Sequence, residues 1–226
     1  AARLLYEAED YPALACLLVS EISTQIVQSP RLNPPTNPSP SQLDAAAVAS
    51  SEGRLAQLRA SATSFLARYR SADAAGSFAG CEALQLTLGV ADLMDCAAAW
   101  RQQRGEGRSE SELTKLLAAL HALPLLPAEP AAVEEAQASF RLLPASLQRC
   151  FPTLIDAAVE ALHAKFALLR SGASNAAEEV RALRSRAEAI VAFSNMAVWA
   201  AAEASGEMHM PAATLQRLAS WLADMA

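Results

Sequence analysis

The sequence predicts an all-α fold, an irregular helical solenoid of about eight or nine mostly antiparallel helices. Three observations predict it. Hydrophobic residues make up 53% of the 226 and aromatics only 5%. Alanine therefore carries much of the apolar content, and it is the best helix former and lets helices approach closely. Only 8 glycines occur, most of them where a helix would stop. Apolar residues recur at spacings of three and four, with no useful run of period-two alternation, so no sheet is expected.

The elements follow in chain order. Leu4 to Ala8 reads as the end of a helix, so the chain itself reads as a fragment of something longer. Glu9 to Pro12 is a turn, and Pro12 opens a helix from Ala13 to Gln28, because proline fits the first helical turn. Prolines at 30, 34, 35, 38 and 40 make 29–41 an extended loop inside what is otherwise a single domain, 1–226. A long helix from about Leu43 to Arg70 carries the stripe Leu55, Leu58, Ala62, Phe65 and Tyr69. Small residues at 71–80, including Gly76 and Gly80, form a connector. The next helix, about 81–103, is apolar on nearly all sides and stops at Gly105-Glu106-Gly107. Such a helix is buried between neighbours.

Ser109 with Glu112 three residues on is a capping box that starts a helix bearing Leu113, Leu116, Leu117 and Leu120, which ends before Pro124. Pro130 starts a helix to about Leu142. Pro144 starts a short one, and Pro152 interrupts or restarts it. Ile155, Ala158, Leu162, Phe166 and Leu169 then make a clean stripe ending at Gly172. Asn175 with Glu178 caps a helix carrying Val180, Leu183, Ala187, Ile190, Ser194 and Val198. Pro211 opens a final helix bearing Leu215, Leu218, Trp221 and Leu222.

Composition excludes several functions. Net charge is -6 and the bases are interleaved with acids, whereas a nucleic-acid binder needs a basic stripe to neutralise phosphates. No direct nucleic-acid partner is expected. The most basic stretch, 178–188, holds Arg181, Arg184 and Arg186 beside Glu178, Glu179 and Glu188, and reads as a solvated helix face. The apolar run from Cys81 to Trp100 carries Glu82, Asp92 and Asp95, so it reads as a buried helix and not a transmembrane segment. Cys16, Cys81, Cys96 and Cys150 form no C-x-x-C pair and read as free thiols in a reducing compartment.

Nor does the sequence carry a catalytic or metal signature. His121, His163 and His209 are too scattered for zinc spacing, and neither a G-x-S-x-G elbow nor a phosphate loop is present. Asp92 and Asp95 share a helix face at i, i+3. Two carboxylates there could hold a hard cation, as in an all-helical enzyme, but no second acidic cluster completes the site. An arginine partner or the solvent edge is the plainer reading. No catalytic residue, cofactor, metal or small-molecule substrate is therefore assigned. Trp100, Trp199 and Trp221 could be interface anchors or core residues. Trp221, with Leu218 and Leu222 on the same helix, is the candidate protein-interaction patch, since a terminal helix must be capped or bound.

Several segments, taken in order, carry a resemblance. They are Leu4-Leu5-Tyr6-Glu7-Ala8-Glu9-Asp10-Tyr11 with Leu18-Val19-Ser20-Glu21-Ile22; Ala67-Arg68-Tyr69-Arg70; Leu116 to Pro127; Phe140-Arg141; Lys165-Phe166 with Leu168-Leu169-Arg170; and Leu183-Arg184-Ser185-Arg186-Ala187 through Ala192-Phe193-Ser194-Asn195-Met196. The chain resembles the C-terminal helical region of the inner-ring linker nucleoporin of the nuclear pore complex, the 93-kilodalton class or nucleoporin-interacting component family. Each motif is degenerate, and their collinearity carries the resemblance. It departs in the proline-rich insertion at 30–41 and in alanine content.

The resemblance implies a non-enzymatic scaffold protein of the nuclear pore at the nuclear envelope. It would bind other inner-ring nucleoporins and support pore assembly and nucleocytoplasmic transport of protein and mRNA. A helical adaptor or tether of a coat or trafficking complex is the alternative, because the same architecture serves both.

Overall fold

A computed structural model describes residues 10–29, 45–72, 79–103, 110–171, 177–205 and 212–225. The fold is all-α. Among the described residues there are nine α-helices, one 3-10 turn and no strand. The helices are α1 (Tyr11–Gln28), α2 (Ala45–Ala72), α3 (Ala79–Gln102), α4 (Glu110–Ala122), α5 (Val133–Leu142), α6 (Ala145–Gln148), α7 (Phe151–Ser171), α8 (Ala177–Ser205) and α9 (Ala212–Met225). The 3-10 turn Pro130–Ala132 precedes α5. No described helix is long and apolar enough to cross a membrane.

The chain packs as two compact units. One comprises Ala1–Ala98 and Pro144–Cys150, the other Ala99–Leu143 and Phe151–Ala226.

In the first unit, Asp10 caps α1 by accepting a 3.2 Å hydrogen bond from the Ala13 amide. Tyr11 and Pro12 are thus already helical, and the expected turn is the cap itself. Leu14, Leu18, Ile22 and Ile26 recur at i+4 and are all buried, with Ala15, Val19 and Ser23 beside them. That face packs on α2 and on the short α6. At one end of the α1–α2 contact Tyr11 meets Phe65 and Tyr69 at 6.2 and 6.1 Å between ring centroids. Arg54 bridges to Glu21 at 2.7 Å. The expected stripe of α2 is realised in Leu55, Ala62 and Phe65, which are buried. Helix α3 buries Leu84, Val90, Ala91, Leu93 and Met94 completely, around more than one face, as its apolar surround predicts. Pro144 starts α6, its carbonyl accepting from Leu147 and Gln148. Cys150 then donates its thiol to the Ser23 carbonyl, Sγ to O 3.6 Å.

The second unit is organised round α8, which touches α5, α7, α9 and the 3-10 turn. Three rings knit the first of these contacts. Phe140 of α5 stands edge-on to Phe151 of α7 at 4.6 Å, and Phe193 of α8 lies 6.0 Å from both. Edge-to-face pairs of this kind contribute about 0.5–1.5 kcal/mol beyond area burial. The α7 stripe is inward, with Ile155, Ala158, Leu162 and Phe166 buried. Pro152 lies in the first turn of α7, so it restarts the helix. On α4, Leu113, Leu116 and Leu120 are buried, and that helix packs on α7.

The expected Leu4–Ala8 helix end, the 29–41 loop beyond Ser29, the Gly105–Gly107 stop and the caps at Ser109, Gly172, Asn175 and Pro211 lie outside the described residues.

Candidate interaction surface

The last helix is placed by polar contacts on one side and an apolar stripe on another. Asp156 and Glu160 sit one turn apart on α7 and share a face at i, i+4. Asp156 accepts from Thr214 Oγ1 at 3.0 Å and from Arg217, both on α9. Arg101, in the last turn of α3, reaches the same pair, with Nε 2.7 Å from Glu160 Oε2 and Nη2 3.3 Å from Asp156 Oδ2. The side chains of Arg101, Asp156 and Glu160 are 18%, 20% and 13% exposed, so the network is shielded enough for its charges to matter. Two guanidinium groups and two carboxylates compensate each other within it.

Below this network α9 turns its stripe inward. Trp221 is 2% exposed and Leu218 3%. The Trp221 ring stands edge-on to His163 of α7 at 6.3 Å. The structure therefore places the two described members of the 218–222 patch inside their own unit, while the Leu222 side chain lies outside the described residues. Among the described side chains of α9, Gln216, Arg217, Ala219, Ser220 and Ala223 face solvent. Trp100 is likewise buried, and the Trp199 side chain is outside the described set.

Asp92 and Asp95 do share a face of α3, but the group between them is Arg59 of α2. Its Nη2 pairs with Asp92 and its Nη1 with Asp95. These carboxylates, each partly exposed, are occupied by a guanidinium, so the metal reading of the pair does not hold. Burial is the largest single influence on Arg59 and lowers its pKa, but the hydrogen bonds and charges of Asp95 and Asp92 together outweigh it and hold the pKa above its usual value.

The 178–188 stretch is a solvated face only in part. Arg181 and Arg184 are exposed, and Arg184 pairs with Glu188 at 3.0 Å, as a solvated face requires. Arg186 is instead buried, at 7% exposure. It lies three residues after Leu183 and four before Ile190, which puts it on the inward stripe. That spacing was the available signal. Its Nη1 lies 3.0 Å from Nδ1 and 3.3 Å from Nε2 of His121 on α4.

The sequence model of the Nup93/Nic96 family matches residues 1–200, nearly the whole of the 226. The chain belongs to the Nup93/Nic96 family. No curated protein matches it. Membership makes it a structural nucleoporin, a component of the nuclear pore whose partners are other nucleoporins, in a family that is not enzymatic. The match covers α1 to α7 and most of α8, and α9 lies beyond it.

Proposed function

We propose that this Nup93/Nic96 chain is a scaffold component of the inner ring, where it binds other inner-ring nucleoporins and supports pore assembly and the transport that depends on it. The family match over residues 1–200 carries the reading. Physical features support it. The apolar stripes of α1, α4 and α7 are spent on neighbouring helices. The charged pairs at Arg59 and Asp156 are compensated internally and hold helices in place. Such a module presents polar outer faces to partners while its shape is kept by the interior.

The interaction set Leu218, Trp221 and Leu222 enters this proposal as the anchor of α9. Its inward members hold the helix so that its outer face, Gln216, Arg217, Ala219, Ser220 and Ala223, is offered to a partner. No small-molecule substrate, cofactor or metal is part of the reading.

Affinity purification of the full-length protein followed by mass spectrometry tests it. Inner-ring nucleoporins should dominate the recovered set. Recovery of coat or trafficking subunits without nucleoporins would instead assign the chain to a tether or adaptor outside the pore.

A further inference from the structure

Five arginines of the described chain meet carboxylates: Arg54 with Glu21, Arg59 with Asp92 and Asp95, Arg101 with Asp156 and Glu160, Arg184 with Glu188, and Arg217 with Asp156. Arg186 is more buried than any of these, yet the side chain it meets is the imidazole of His121. Its Nε is buried without a partner. Nη1 is near-equally close to both ring nitrogens, of which a neutral imidazole has only one free to accept. A guanidinium carries five N–H donors. One side chain that can accept a single hydrogen bond leaves most of that capacity, and all of the charge, uncompensated by any described group.

A buried charge without a counter-charge is costly, and the cost is relieved when an anion arrives. Burial pushes the Arg186 pKa down with no acid acting to raise it. Burial first, and the neighbouring Arg186 charge second, push His121 down as well. His121 is exposed, while Arg186 beside it is buried.

We propose that Arg186 and His121 form a receptor for a carboxylate side chain, Asp or Glu, carried by a partner protein. The planar fork of a guanidinium matches the two oxygens of a carboxylate. The 7% of Arg186 that is open suits the edge of one planar group better than a fully hydrated phosphate dianion. The chain's net charge of -6 also disfavours a polyphosphate such as RNA more than a single acidic side chain. The partner's identity rests on the scaffold reading, but the receptor chemistry does not. A small-molecule probe therefore tests the receptor alone, and its failure would leave the scaffold assignment standing.

The probe is N-acetylglutamate N-methylamide, titrated into the 226-residue chain and followed by the NMR resonances of the His121 ring. A saturable shift is expected, and the uncharged glutamine analogue should give none. Arg186→Gln should weaken the probe at least about tenfold, the scale of a lost charge-assisted hydrogen bond. Arg54→Gln, in the first unit and already paired with Glu21, should change it less than about twofold. If Arg186→Gln does not fold, Arg186→Lys keeps the charge and removes the fork, with a weakening of about fivefold expected. No saturation, equal binding by the Arg186 variants, or inorganic phosphate binding more tightly than the carboxylate probe would each overturn the proposal.

Discussion

Thr214 of α9 donates a 3.0 Å hydrogen bond to Asp156 of α7, 58 residues earlier in the chain. That contact, with Arg217 on the same carboxylate oxygen, sets the position of the last helix. Asp156→Ala should strand Arg217 and Thr214 and leave Arg101 with Glu160 alone. A loss of about 3 kcal/mol is expected, the scale for removing one member of a shielded charge pair. Hydrogen exchange should rise first in the α9 amides. Asp156→Asn keeps an acceptor for Thr214 and should lose less.

Leu162 sits on the inward stripe of α7 at 1% exposure. Leu162→Ala should destabilise the protein by about 2–5 kcal/mol, because a cavity is added to the lost transfer free energy. Leu142, 87% exposed at the end of α5, is the control, and Leu142→Ala should stay within about 0.5 kcal/mol. Denaturant midpoints of the two variants make the comparison. Equal midpoints would remove the stripe assignment.

The four free cysteines should differ in reactivity. Burial pushes the Cys150 thiol up to about 12, so almost none of it is thiolate near neutral pH, and the thiolate is the nucleophile. Cys16 is exposed. Native labelling with a thiol reagent at pH 7.5 should modify Cys16 first and leave Cys150 untouched until the protein unfolds. Mass spectrometry of labelled peptides reads the order.

His121 should make stability fall on acidification. Its folded pKa is depressed, so the unfolded chain takes up its proton first. The contribution is present above the unfolded value of about 6.5 and is lost as pH drops from there through the lower folded pKa. The residue is largely exposed, so the effect is modest. Melting temperatures of wild type and His121→Gln should lie closest at pH 7.5 and separate toward pH 5, with the wild type falling further. Parallel curves would contradict this.

The fold class was legible because helical periodicity is a local property. Ile155, Ala158, Leu162 and Phe166 advertise their shared face within a few turns. Pro12, Pro144 and Pro152 mark helix starts through their missing N–H and fixed φ. Cross-chain partners are another matter. Asp92 and Asp95 stood out as an acid pair, but the group that answers them, Arg59, comes from another helix and is placed by packing. The Asp156 network joins α3, α7 and α9 and is invisible for the same reason. Trp221 sits on a helix whose apolar side needs cover, and sequence spacing does not show that its ring meets His163 of α7. Arg186 was masked by its neighbours. Its charged surroundings in sequence suggested solvent, while its spacing from Leu183 and Ile190 pointed inward, and packing followed the spacing.

A fixed part of the pore scaffold stays with the pore. Super-resolution imaging of the tagged full-length protein against markers of the pore's inner and outer rings tests most directly whether this chain does. Signal is expected at the nuclear rim, in pores, coincident with the inner-ring marker. Signal on cytoplasmic vesicles, with none at the rim, would contradict it.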